Sequence, residues 1–583
     1  MTDFHSSLGD FRTGPRVLVV IAMSVVVGLF GVGAAWLLSK LITLVSNLAY
    51  FGLWSTAVHS VAHTALGPAR VALPVAGGLV IGLMARYGSE KIRGHGIPEA
   101  IEAILIGNSR IQPRVAVLKP LSSAISIGSG GPFGAEGPII MTGGALGSLF
   151  AQLFHLTSNE RKTLLVAGAA AGMTGIFGTP VAAILLAVEL LLFEWRPRSF
   201  LPVAMAVLTA ASCRPLLFAA PPLFPFDGLA PVSPADAASW MAIGLLAGAG
   251  SALLTALVYG CEDLFQKLPI HWMWWPAIGG LVVGLGGLIE PAALGVGYDN
   301  LQAMLADQFT LRTLLLLLVV KTVIWSIALG SGTSGGVLAP LLIVGGALGA
   351  LFGHFVAPDH QALYSLLGMA AMMGGTMRSP LTAAVFGVEL TGNPHALLPL
   401  MGACAVAHGF TVLLLKRSIL TERIARRGLH LSREYSVDPF EQVRVQDVMI
   451  RRVDTLPASM TVSSAIEFFT GDQLRHKSYP VIGDHGELTG MISRADVLRW
   501  TMNSEDALAT LEQVASPENL LVAVPDELLG HLADRMGQFD VGRVPVIAAD
   551  HRLVGIVARK DLLKIRSHLR AHEHDRSAPL RGS

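Results

Sequence analysis

Apolar and polar positions divide this chain unevenly. Between Val17 and about Leu415, long runs such as residues 17–38 and 311–327 are nearly free of charge. They are long enough to cross a bilayer, which takes about 20 apolar residues. Beyond Lys416 charges recur every few positions, and short alternating runs are separated by polar turns. The pattern predicts an all-α polytopic membrane domain followed by an α/β tail. Its expected boundaries are an N-terminal segment 1–16, a membrane domain 17–428 with halves of roughly 17–215 and 235–428, and a linker 429–442. Two tail units at 443–503 and 510–568 and a disordered end at 569–583 complete the division.

Inside the apolar part the sequence returns on itself. Residues 128–150, "GSGGPFGAEGPIIMTGGALGSLF", match 330–352, "GSGTSGGVLAPLLIVGGALGALF", at a shift of 330 − 128 = 202. Residues 167–190 match 367–390 at a shift of 200, pairing Pro180 with Pro380 and Glu189 with Glu389. Duplicated membrane halves are common in transporters, whose sites lie where the halves meet. The glycines and prolines of "GSGGPFGAEGP" and "GSGTSGGVLAP" forbid continuous helix. Each is therefore a loop opening into a helix start, and "GHGIP" at 94–98 is a third.

Helix starts present unpaired N–H groups and a positive dipole end, so three of them together suit a small anion. Glycine-rich breaks also let helices pack closely, which is the competing explanation. Glu136 lies in the first break, and Leu338 stands at its place in the second. A carboxylate inside a membrane is costly and usually functional. It resembles the cargo in charge and could occupy the path until a proton or an anion displaces it; capping its own helix is the simpler alternative.

Composition narrows the classes. The chain is 52% hydrophobic and 14% charged with mean hydropathy +0.58, which excludes an ordinary soluble protein. Net charge +1 predicts no nucleic-acid partner. Cys213, Cys261 and Cys404 are too scattered for a metal or disulfide framework. No nucleophile–base pair, phosphate loop or metal cluster is present, so no enzyme is predicted. The segment 17–38 reads as a retained span, not a signal peptide. Arg12 and Arg16 at one end, and Lys416, Arg417, Arg423, Arg426 and Arg427 at the other, predict both termini cytoplasmic in a multi-pass protein of the inner or plasma membrane.

"GHGIPEA", "GAEGPIIMTGG" and "GGVLAPLL" resemble, in order, the three anion-coordinating motifs of the CLC family of chloride channels and proton-coupled chloride exchangers. The resemblance runs from about Arg16 to Arg427. It implies two inverted halves with short, tilted and re-entrant helices, one anion path per subunit, chloride as cargo and a homodimer in lipid. It puts Glu136 on the family's gating glutamate. Anion contacts would come from His95, Gly96 and Ile97, from Gly134, Ala135 and Gly137, and from Val337 and Leu338.

Departures from the family pattern touch the path. His95 stands where many members have serine; an imidazole N–H can donate in its place, and a ring packed away from the path is the structural alternative. No tyrosine occurs from Thr411 to Thr421, where the family's pore tyrosine is expected. Leu190 occupies the exchangers' second proton-carrying position, one residue past Glu189, which is a channel-like feature. Glu189, Glu194 or His95 would have to supply any other proton route. The expectation is therefore gated conduction, with H+/Cl- exchange as the alternative and a membrane sensor with an inert core behind it. The intact "EGP" argues against the family's fluoride-exporting branch.

The tail repeats as well. "YPVIGDHGELTGMISRADVLR" at 479–499 pairs with "VPVIAADHRLVGIVARKDLLK" at 544–564, a shift of 65. Each unit reads strand, turn, strand, helix, and the pair resembles CBS domains. That resemblance implies a single regulatory module of a kind that often binds adenine nucleotides, with dimer packing alone as the rival reading and no required cofactor. Gly490, Ser493 and Asp496 fit its ribose and phosphate contacts; in the second unit Asp561 is kept but Ala558 replaces the hydroxyl. An Asp capping a helix is the structural alternative. "AHEHD" at 571–575 is a short histidine tract more suited to a frayed end than to a metal.

Overall fold

The chain's first helix, α1 (Arg16–Phe51), runs for 36 residues in this computed structural model. At 1.5 Å per residue that is about 54 Å, longer than the roughly 30 Å hydrocarbon layer. The structure describes residues 14–64, 66–227, 234–428, 440, 443–471, 476–503, 507–515 and 520–565. The linker expected at 429–442 lies outside them except for Phe440, and the end at 569–583 with its histidine tract does so entirely.

After α1 come α2 (Ala72–Tyr87), α3 (Ile97–Leu105), α4 (Pro113–Gly128), α5 (Glu136–Gln152), α6 (Ser158–Phe177), α7 (Pro180–Leu186) and α8 (Pro197–Cys213). The same order then recurs as α9 (Pro234–Gln266), α10 (Trp275–Ile289), α11 (Tyr298–Leu305), α12 (Leu311–Gly330), α13 (Leu338–Val356), α14 (Gln361–Met377), α15 (Pro380–Thr391) and α16 (Leu397–Leu414). A short α17 (Ile419–Arg426) follows. Eight of the described helical segments are long and apolar enough to cross a membrane.

The halves interlock reciprocally. A Cβ on Gly78 would strike the Pro276 carbonyl, and one on Gly280 would strike the Pro74 carbonyl. Since 276 − 74 = 280 − 78 = 202, this exchange of contacts is what a two-fold axis between α2 and α10 produces. Within each half the repeated glycines bring backbones together: Gly143 meets Gly168, and Gly345 meets Gly368. Membrane helices associate through such small-residue contacts because lipid offers no hydrophobic drive between them.

Two carboxylates tie the halves through helix starts. Glu389 accepts hydrogen bonds from the Val181 and Ala182 amides at the start of α7 (2.9 and 2.8 Å). Glu189 accepts from the Thr382 amide (3.0 Å) and hydroxyl (2.5 Å) at the start of α15. Each satisfies donors that a helix start leaves open, on the half opposite its own.

The tail forms a separate compact unit, with 434–583 clustering apart from 10–433. In its first part β1 (Leu456–Pro457) lies parallel to β2 (Ser478–Ile482), which pairs antiparallel with β3 (Leu488–Ser493). In the second part β4 (Arg543–Ile547) pairs antiparallel with β5 (Leu553–Ala558). The registers match: Ser478 faces Ser493 as Arg543 faces Ala558, with an irregularity after Val481 and after Val546. Alternate residues feed the cores, Tyr479, Val481 and Ile492 in one and Val544, Val546 and Val557 in the other.

Candidate functional site

Four helices begin where the two halves meet. They are α3 at Ile97, α5 at Glu136, α11 at Tyr298 and α13 at Leu338. Their lead-in loops hold one another across the axis. Gly134 and Gly336 exchange hydrogen bonds, N–H to O at 3.4 and 2.8 Å, and 336 − 134 is again 202. The Gly94 amide reaches the Thr333 carbonyl (3.2 Å), as the Gly295 amide reaches the Gly130 carbonyl (3.0 Å). Gly96 and Gly297, which cap α3 and α11, have φ of +90° and +80° and so require glycine. The sequence pattern exposed three of these starts; α11 is the fourth.

Glu136 is fully buried. Its carboxylate crosses to the other half, where Oε1 accepts from the Ala339 amide (3.1 Å) and the Tyr298 hydroxyl (3.4 Å). Ala339 is in the first turn of α13, where an amide has no intrahelical acceptor, so the acid occupies the positive end of that helix. Its Oε2 lies against Gly134 and Gly336 and has no hydrogen-bond partner among the described residues. The Glu136 amide at the start of α5 also bonds this carboxylate, so the side chain serves its own helix start as well as that of α13.

On the α3 side the Gly96 amide donates to Glu99 Oε2 (2.9 Å), so it serves its own helix. Pro98 has no N–H, which leaves Ile97 as the leading amide of that helix. The His95 carbonyl lies against Gly137, where a Cβ would collide with it. The His95 ring is buried and its Nδ1 has no hydrogen-bond partner among the described residues. Glu99, Arg423 and Lys119 are the charges that act on it. Glu99 is held by Arg423 (3.3 Å) and Arg427 (3.9 Å), which follow from α17.

Two cavities reach this region. One of about 530 Å³ is lined by Arg93, Glu99, Glu102, Met141, Arg423 and Arg427 among others. The other, about 470 Å³ and largely apolar, touches Ala135, Ile176, Arg214, Phe224, Tyr298 and Asn300. The first borders the start of α3 and the second borders the residues that hold Glu136.

Glu189 sits in the cap of α15 described above. Glu194 hydrogen-bonds Ser199 (2.5 Å) and lies within 4 Å of Lys162, Arg196 and Arg198. Leu190 is fully buried. Val337 and Leu338 lie at the start of α13, also fully buried. Sequence reasoning missed Tyr298, and it missed Lys119 and Lys321, which lie behind the starts of α3 and α11.

In the tail, Asp496 Oδ2 accepts from the Ser493 hydroxyl (2.6 Å) and amide (2.9 Å), and Oδ1 accepts from Arg499 (2.9 Å). Asp561 accepts from the Ala558 amide (3.0 Å). Gly490 packs against Ala515, leaving no space for a Cβ.

Comparison with known proteins gives a consistent result. The family model for voltage gated chloride channels matches residues 77–412, and the CBS domain model matches 445–503 and 511–568. The chain is 29% identical, over 58% of its length and 82% of the relative's, to a putative chloride channel protein ClcB-like of Ralstonia nicotianae. It is 32% identical, over 66% of its length and 84% of the relative's, to the H(+)/Cl(-) exchange transporter ClcA of Salmonella typhimurium. A slow cyanobacterial Cl-/H+ antiporter of known crystal structure shares the fold, with TM-score 0.62 and 22% identity over 71% of this chain and 99% of that one.

Proposed function

We propose, from the premise that this chain belongs to the voltage-gated chloride channel (CLC) family, that it moves chloride across a membrane past four converging helix starts, with Glu136 as the gate. One observation carries the reading. The Glu136 carboxylate is seated on the Ala339 amide, at a helix start suited to an anion. An anion arriving there must displace it, and a proton on the acid would remove the charge that competes. Val337, Leu338 and Ile97 would offer backbone amides to the anion, with His95 donating a ring N–H beside α3. A second copy of the chain and surrounding lipid are the proposed partners.

Within that activity, gated conduction is favoured by how the other carboxylates are used. Glu189 caps a helix, Glu194 is enclosed by cations, and Leu190 cannot carry a proton. The exchange reading is favoured by the names of the Salmonella relative and the cyanobacterial antiporter. Purified protein in liposomes separates the two. Under a chloride gradient, conduction dissipates the gradient without uphill proton movement; proton accumulation against its gradient would establish exchange and defeat the channel reading.

The tail would act on this path as a regulatory module. An adenine nucleotide, if it binds, would meet the Ser493 hydroxyl and Asp496 in the first unit, with Asp561 alone in the second. Titration calorimetry with ATP on the full chain tests this, and no heat at millimolar ATP would leave the tail a packing element.

A further inference from the structure

Each half holds one fully buried lysine, Lys119 on α4 and Lys321 on α12, and they are mates, since 321 − 119 = 202. A buried ammonium is costly unless its hydrogens are taken up. Among the described residues neither makes an ion pair within 4 Å; both spend their hydrogens on peptide carbonyls. Lys119 Nζ donates to the Ile92 and Gly94 carbonyls at 2.8 and 2.7 Å. Lys321 Nζ donates to the Ala293 and Gly295 carbonyls at 2.9 Å each. The matched carbonyls again differ by a constant, 293 − 92 = 295 − 94 = 201.

These carbonyls belong to the loops that lead into α3 and α11. Neighbouring carbonyls of both loops are taken up too: Arg423 donates to the Arg93 carbonyl (3.4 Å), and Asn300 to the Ala292 carbonyl (2.6 Å). A loop preceding a helix start presents carbonyl oxygens as readily as amides, and an oxygen turned toward an anion repels it. Holding those oxygens on an ammonium behind the loop leaves the N–H groups to face the path. Each lysine is also coupled electrostatically to the site: Lys321 acts on Glu136 through space, and Lys119 acts on His95 and Glu99.

We propose that Lys119 and Lys321 are positioning residues for anion transport, each turning the carbonyls of one lead-in loop away from the anion so that the amides of the following helix face it. The inference rests on the transport reading above. Its readout is affinity for the anion.

The test is chloride flux into liposomes as a function of chloride concentration, with wild type, Lys119→Met, Lys321→Met and the corresponding Arg variants. Each methionine variant is expected to raise the half-saturating chloride concentration about tenfold, equivalent to ~1.4 kcal/mol, with the maximal rate within about twofold of wild type. Arginine keeps both donors and the charge, and should restore the half-saturating value to within about threefold of wild type. A half-saturating value that stays within about twofold of wild type in both methionine variants overturns the proposal. If a methionine variant does not survive purification, the Gln variant decides: a rise of at least about threefold supports the proposal, and a smaller one overturns it. Wild-type protein that carries no chloride would fail the transport reading itself, and this inference with it. Active wild type with unaltered variants fails this inference alone.

Discussion

The two membrane halves solve the same local problems at the same positions, and the places where they diverge are more telling than the places where they agree. At the C-terminus of α6 the chain turns through Gly178 at φ +68°, and Arg214 arrives from the end of α8 to bond the Gly175 and Ala219 carbonyls (3.1 and 2.5 Å). At the matching end of α14 the turn residue is Arg378 at φ +58°, and it reaches out to the Thr411 and Leu415 carbonyls near the end of α16. One guanidinium joins the same pair of helix ends in both halves, supplied from opposite partners. Physical need has been kept there while sequence has not. At the helix starts on the axis the reverse holds: the backbone frame is the same, yet Glu136 faces Leu338 and Gly137 faces Ala339 across the repeat. A departure with no compensating residue marks a function present in one half only.

Substitutions can break this comparison. The largest expected effect is at Gly137, whose Cβ would strike the His95 carbonyl. Gly137→Ala should destabilise the membrane unit by about 3 kcal/mol, whereas Ala339→Gly in the other half should cost about 1 kcal/mol or less. Thermal unfolding in detergent would check both, and equal losses would show that the halves do not differ there.

Next comes the proposed gate. Glu136→Gln cannot present a negative charge to the Ala339 amide, so chloride flux at neutral pH should rise about tenfold, as expected for removing a charge-assisted contact of ~1.4 kcal/mol. Its flux should also vary less than about twofold between pH 5 and 8, because the titrating competitor is gone. Leu338→Gln serves as the control and should produce neither change. A mutant that keeps the wild-type pH response would remove Glu136 from the mechanism.

The caps should behave alike, because the halves are alike there. Glu189→Gln and Glu389→Gln should each cost about 1–2 kcal/mol, with equal losses in thermal stability and no change in any proton coupling. Loss of coupling in Glu189→Gln alone would reassign that residue from cap to proton path. The smallest effect is in the tail. Ser493→Ala should weaken nucleotide binding about fivefold, the loss of one hydrogen bond near 1 kcal/mol, while Ala558→Ser should gain less.

Much of this was legible because it repeats. The shifts of 202 and 65 exposed both duplications, and Gly/Pro breaks in apolar sequence located the starts of α3, α5 and α13. Glu136 stands out in the sequence as the lone carboxylate of residues 128–150. The start of α11 carries a weaker signal: "GVGYDN" repeats only the G-x-G of "GHGIP", at a shift of 201, and lacks its proline, so neither this start nor Tyr298 is singled out. The buried lysines had a signal that went unused. Each precedes its matched glycine by nine residues, 128 − 119 and 330 − 321, as the lone charge in the apolar stretch between. The use of the Gly96 amide by Glu99 was beyond sequence, since whether an acid at the third helical position caps or faces outward is decided by the charges packed around it, here Arg423.

The mutual pairing of Gly134 and Gly336 has a last consequence. Two residues that meet across a symmetry axis share a single location, so there is room for one occupant and not for a pair. An acid at Leu338 as well would drive two like charges toward the same few ångströms, at a cost that falls on both. A duplicated ancestor bearing the acid in each copy would therefore have been under pressure to lose one. Whichever copy kept it gave an otherwise reversible frame a front and a back.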